Sequence, residues 1–195
     1  MSLYQNTHRI ASIRWKDWNY SNEGCYSITI CTHHRVRFFG QIKNATMILN
    51  EIGLIVQDEW LKTPGLRPDM NIMLDKFGVM PDHFHGIIFI GDNEYNHNGK
   101  DPIKVFSILP GLPIIFGDQA DNVVGTGQRE NDFGPQAKNL ASIIRGFKSA
   151  VTTRARRINK VFKWQERYHD HVVRDYDSLE RIRDYIDNNP ANWIK

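Results

Sequence analysis

The first clear alternation of β-branched and polar residues along the chain is Tyr26-Ser-Ile-Thr-Ile-Cys-Thr32. It is led in by Asn22-Glu-Gly24 and reads as a strand. His33, His34 and Arg35 follow as a loop. From Met47 to Leu61 the apolar positions Ile48, Ile52, Ile55, Val56 and Trp60 have the recurrence of an amphipathic helix, which Pro64-Gly65 ends. Asn71 to Met80 predicts a second strand carried by Ile72, Leu74, Phe77 and Val79. After Pro81, His83-Phe-His-Gly-Ile-Ile-Phe-Ile90 is apolar without alternation beyond its histidines, the composition of a central strand covered on both faces. Leu140 to Ile158 returns to helical spacing through Ile143, Ile144, Phe147 and Val151. His171 to Arg174 predicts a short strand. A final helix opens with Asp177 or Ser178 as N-cap and runs through Leu179, Ile182 and Ile186 to Asn188 or Asn189, where Pro190 stops it.

The order β-α-β-β-α-β followed by a helix predicts an α+β fold: a ferredoxin-like sandwich on an antiparallel sheet, in a single domain over residues 1–195. Residues 91–138 break the pattern. They hold seven of the 14 glycines and four of the eight prolines, with little periodicity beyond Ile103 to Ile115. This stretch reads as a long loop insertion rather than a second domain. Gly125-Thr-Gly127 lacks the flanking strand and helix that a phosphate-binding loop requires.

A chain of 195 residues suits one hydrophobic core, and 41% hydrophobic with 24% charged residues is ordinary for a globular protein. No apolar run approaches the ~20 residues of a membrane span, so no membrane partner is expected. Residues 1–14 lack a signal-peptide core, which points to the cytoplasm. Cys25 and Cys31 fall on one face of one strand, ~20 Å apart if extended, and read as reduced thiols. The net charge of +3 is small, but residues 138–167 carry nine Lys or Arg against the single acid Glu166. Such a block is usually a solvated helix face. The interleaved Phe147, Phe162 and Trp164 tilt it toward a nucleic-acid footprint, since bases stack on aromatic rings.

His83 and His85 sit two apart on a predicted strand, so both imidazoles leave one face, a start for a divalent metal site. Alone the pattern is weak, and His169 with His171 repeats it. On the last helix Tyr185 and Asn189 share a face one turn apart. Tyr185 reads equally as a core-edge anchor with a wetted hydroxyl or as a nucleophile. Asn189 reads equally as a left-handed C-cap or as an oxygen ligand.

Taken in order, longer motifs resemble a known family. They are Gly24-Cys-Tyr-Ser-Ile-Thr-Ile-Cys-Thr32, Leu49-Asn-Glu-Ile-Gly53, Val79-Met-Pro-Asp-His-Phe-His-Gly-Ile-Ile88, Leu140-Ala-Ser-Ile-Ile-Arg-Gly-Phe-Lys148, Trp164-Gln-Glu-Arg-Tyr-His-Asp-His171 and Arg181-Ile-Arg-Asp-Tyr-Ile-Asp-Asn-Asn-Pro-Ala-Asn-Trp193. The chain thereby resembles the single-tyrosine transposases of the HUH superfamily, in particular the REP-associated class related to small insertion-sequence transposases. The resemblance implies a metal-dependent single-stranded DNA endonuclease and strand transferase acting on hairpin or repeat DNA. In it, Tyr185 is the nucleophile that forms a 5′-phosphotyrosine, and His83, His85 and Asn189 hold Mg²⁺ or Mn²⁺. One departure is Asp82, where the family usually has Asn after the proline. Backbone contacts to DNA are assigned to Arg145, Lys148, Arg154, Arg156 and Arg157, and base stacking to Trp164. Two other readings stay open: a hairpin-DNA-binding protein that does not cut, and a metal-independent ribonuclease using His83 or His85. Monomer and homodimer are equally compatible with the sequence.

Overall fold

In the computed structural model, which describes residues 3–4, 7–8, 18–96 and 137–193, a small antiparallel pair comes first. It is formed by β1 (Leu3–Tyr4) and β2 (Thr7–His8). The main sheet begins with β3 (Gly24–Cys31), a strongly two-faced strand. Tyr26, Ile28 and Ile30 are fully buried on one side, while Ser27, Thr29 and Cys31 on the other are only half-buried.

Residues 40–61 correct the sequence reading. The helix expected from Met47 is instead a hairpin, β4 (Gly40–Lys43) and β5 (Thr46–Leu49), followed by a shorter helix α1 (Glu51–Leu61). Asn44 and Ala45 both take positive φ, 49° and 59°, the conformation of a two-residue hairpin turn whose twist matches the strands. Asn50 then starts the helix, its side chain accepting from the Gly53 amide at 3.0 Å. The apolar run Met47-Ile48-Leu49 has no period of its own, so it could be added to either element.

β6 (Ile72–Met80) and β7 (His83–Ile90) form a hairpin, and every residue of β7 is buried, as its composition predicts. α2 (Leu140–Ile158) spans the predicted residues, with Asn139 and Ser142 forming a reciprocal capping box. β8 is His169–Val173. α3 (Tyr176–Asn188) starts earlier than the sequence suggests, because Asp175 is the cap and Ser178 supplies the amide it accepts from, at 2.6 Å.

The sheet order is β6-β7-β3-β8 with every neighbour antiparallel. β3, α1 and β6 thus form a crossover with β7 between the two strands, the ferredoxin-like α+β arrangement. α1 and α2 cover one face, where Trp60, Phe147 and Val151 pack against Tyr26, Phe84 and Ile88. Arg154 on α2 pairs with both Asp58 and Glu59 on α1, tying the two helices together. α3 covers part of the other face, over Cys25, Ile87, Phe89 and Val173, through Leu179, Ile182 and Ile186. Both cysteines are free thiols. Among the described residues no helix is long and apolar enough to cross a membrane.

Of the expected insertion at 91–138, residues 97–136 lie outside the described residues. Its two ends meet. The Tyr95 hydroxyl donates to Asp69 at 2.8 Å, Lys138 pairs with the same carboxylate, and the Lys138 ammonium lies 4.6 Å from the centre of the Tyr95 ring.

Candidate active site

Strand alternation puts His83 and His85 on the α3 face of β7, at the end of the strand away from the insertion. Both are buried, at 5% and 2% exposure, with ring centres 5.2 Å apart and planes almost perpendicular. Their surroundings differ. The His83 Nδ1–H donates to the buried carboxylate of Asp82 at 2.7 Å, which leaves Nε2 with its lone pair available. Asp82 is held in turn by the Arg35 guanidinium at 3.3 Å, while its carbonyl accepts from the Thr32 amide and hydroxyl, both at 2.9 Å. The acid that departs from the family pattern therefore orients a histidine as well as shaping a turn.

Among the described residues His85 has no hydrogen-bond partner at either ring nitrogen, which is costly for a buried polar group unless something else satisfies it. Burial, and secondarily the charge of His83, lowers its pKa to about 3, so it is a neutral imidazole at physiological pH. Burial also lowers the His83 pKa, opposed by Asp82. Two neutral imidazoles, one oriented by a carboxylate and the other with no hydrogen-bond partner among the described residues, suit a divalent transition metal such as Mn²⁺. The fit extends to the backbone opposite. Gly78 of β6 is the cross-strand partner of His85, and a Cβ there would sit 2.6 Å from His85 Nε2, so only glycine leaves the ring its place.

α3 and the residues after it pass over this pair. The Tyr185 ring meets the His85 ring edge-on at 5.6 Å and is itself 60% exposed. Eight residues on, Trp193 stacks on His83 at 5.8 Å with planes 27° apart. Asn189, four residues from each of Tyr185 and Trp193 along the chain, is buried at 8% exposure. Its φ and ψ of −57° and −43° are right-handed, so the left-handed C-cap role does not apply. A tyrosine anchored at the core edge wets little beyond its hydroxyl, whereas more than half of Tyr185 is exposed. Gly78, Arg35 and Trp193 were not read as site residues. The first had a legible signal, a glycine inside an apolar strand, which marks a close approach.

The basic block is elsewhere. α2 packs on the opposite face of the sheet from the histidines, and several of its cations serve the fold. Lys148 donates to the carbonyls of Gln165 at 2.7 Å and Glu166 at 3.1 Å, and burial lowers its pKa. Arg154 is committed to Asp58 and Glu59. Both are engaged by contacts within the protein. Trp164, 5% exposed, is packed among Phe39, Phe147 and Phe162, so it is core and cannot stack on a base. Arg145, Arg156 and Arg157 remain on the outer surface of α2, although the Nε of Arg156 donates to the Phe162 carbonyl.

A sheet of this order with its covering helices has the fold of a REP-associated tyrosine transposase of known structure. The structure of one such transposase bound to a REP hairpin matches with a TM-score of 0.51 at 17% identity, over 94% of this chain and 74% of that one. The chain belongs to one family with a Haemophilus influenzae protein described as uncharacterized, with which it is 36% identical over 187 residues, 95% of this chain and 91% of the relative. No family model matches the chain.

Proposed function

We propose that this chain is a metal-dependent single-stranded DNA endonuclease and strand transferase that works through Tyr185. The observation that carries the reading is an exposed phenol set against a buried imidazole pair, one ring of which has no hydrogen-bond partner among the described residues. His83, His85 and Asn189 would hold Mg²⁺ or Mn²⁺, which when bound neutralises charge developing on a non-bridging oxygen of the scissile phosphate. Asp82 keeps the His83 tautomer and ring angle fixed. The Tyr185 oxygen attacks phosphorus and forms a P–O bond to the phenol as the bond to the 3′-oxygen breaks. The phenol gives up its proton and the leaving 3′-oxygen takes one, so the products are a 5′-phosphotyrosine and a free 3′-hydroxyl. The ester is conserved, and a second 3′-hydroxyl attacking it rejoins the strand without a nucleotide cofactor.

The substrate class comes from the family resemblance. The exposed Tyr185 ring is open to an incoming strand, and an unpaired strand is the form the resemblance implies. The hairpin bound by the transposase of matching fold supports DNA hairpins with unpaired flanks as the form presented.

The test incubates the protein with labelled single-stranded hairpins from the DNA flanking its gene, in Mg²⁺ or Mn²⁺. The expected result is a protein–DNA adduct that survives denaturation and disappears in Tyr185→Phe and with chelator. Tight binding without an adduct, across several hairpins and both metals, would replace this reading with that of a binding protein.

A further inference from the structure

The face of the sheet that carries the histidines is only half covered. α3 lies over β6 and β7 and over the Cys25–Val173 end of β3 and β8. Among the described residues no helix covers the rest of that face, and Ser27, Thr29, His169 and His171 on it are polar. Cross-strand register puts Thr29 of β3 directly between His85 of β7 and His169 of β8, and Ser27 between Ile87 and His171. Ser27 and Thr29 are half-buried, and His169 and His171 are exposed. One row therefore runs His85, Thr29, His169 across about 10 Å, two strand spacings, with no apolar side chain interrupting it.

Polar residues are common on an edge strand, where they discourage pairing with other chains, and β8 is an edge. That account does not cover Ser27 and Thr29, which belong to the central strand β3. On the same strand the opposite side chains Tyr26, Ile28 and Ile30 are fully buried, and where α3 does cover this face the row is Cys25 and Val173. The polar choice thus follows the uncovered area that adjoins the site. The cationic helix α2 is on the wrong side of the sheet to hold the strand next to Tyr185, so contacts on the site's own face have to do so.

We propose that Ser27, Thr29, His169 and His171 form a shelf for the DNA strand adjoining the scissile phosphate, with imidazole N–H and hydroxyl groups donating to its phosphate oxygens. The inference rests on the Tyr185 reading for the direction in which the strand leaves the site. It extends the paired histidines of β8 from a chance repeat of the β7 pattern to a substrate-binding element.

The experiment uses the full chain, the hairpin pool described above and two readouts. The first is the DNA concentration giving half-maximal adduct for wild type, for His169→Ala/His171→Ala and for Thr29→Val. The second is diethylpyrocarbonate modification of His169 and His171 in Tyr185→Phe, with and without DNA, read by peptide mass. The double variant is expected to need at least 10-fold more DNA with its saturated rate unchanged, and DNA is expected to protect both histidines. Adducts formed with the same DNA dependence in wild type and double variant, with no protection, would overturn the shelf. If wild type makes no adduct yet DNA protects the two histidines, the nuclease reading falls and the shelf stands.

Discussion

Replacing Gly78 with alanine is the sharpest test of the metal pair. The new Cβ would lie 2.6 Å from His85 Nε2 and 2.9 Å from its Cδ2, where ordinary contacts begin at 3.4 Å, so the ring must retreat by about 1 Å. The retreat is confined by the His83 ring at 5.2 Å, the Tyr185 ring at 5.6 Å and almost complete burial. A misplacement of about 1 Å in a catalytic group costs on the order of 100-fold in rate. The stability effect is smaller and of mixed sign: overpacking costs about 1–3 kcal/mol, against roughly 0.5–1 kcal/mol recovered by removing a glycine from a strand. The assay measures Mn²⁺ affinity by calorimetry and single-turnover adduct formation beside urea unfolding. Gly86→Ala is the comparison, because its Cβ would meet Phe84, Phe77 and Trp60 at 3.0–3.1 Å on the opposite face. Gly86→Ala should lower stability and spare Mn²⁺ affinity, whereas Gly78→Ala should lose Mn²⁺ affinity as well as some stability. A Gly78→Ala protein with wild-type affinity and adduct rate would refute the placement of His85 in the site.

Asp82→Ala should weaken Mn²⁺ binding by about 10- to 100-fold, and Asp82→Asn by less, because an amide oxygen still accepts from His83; equal affinity in all three proteins would remove Asp82 from the site. In the metal-free protein stability should fall with acid. His85 stays neutral down to about pH 3 when folded, while an unfolded imidazole protonates near 6.5, so the unfolded state binds the extra proton between these values. Stability from this group is complete above about pH 6.5 and falls by roughly 1.4 kcal/mol per unit below it. Urea midpoints at several pH values should show a slope that flattens in His85→Gln, and an unchanged slope would assign the proton elsewhere. Arg154→Ala should destabilise the fold by about 1–3 kcal/mol, since it leaves Glu59 buried and unpaired, with DNA affinity unaltered. A loss of salt-dependent DNA affinity at constant stability would return Arg154 to the DNA surface.

Long, strongly periodic elements were legible. α2 was read to the residue, and the unbroken apolar run of β7 announced a central strand because only a strand covered on both sides avoids polar alternation. The β4–β5 hairpin was not, since its turn is made by Asn44-Ala45, without the glycine that usually marks one. The His-x-His pair and Tyr185 were visible as candidates, and the longer motifs around them gave the candidates weight. What the sequence concealed was the side of the sheet. A run of lysines and arginines names a charge but not a partner, and Lys148 and Arg154 turn inward to a backbone and to carboxylates that lie far away along the chain. Trp164 failed for a related reason: an aromatic among cations suggests stacking until its burial is known.

The junction at Asp69 has a consequence for how this chain can diverge. Tyr95 and Lys138 close on one carboxylate, so the described chain breaks off and resumes at a single point, at the opposite end of β7 from His83. Strand register and the spacing of the histidines are set by the pairing of β3, β6 and β7, so the length of chain joined at this clasp is free of that constraint.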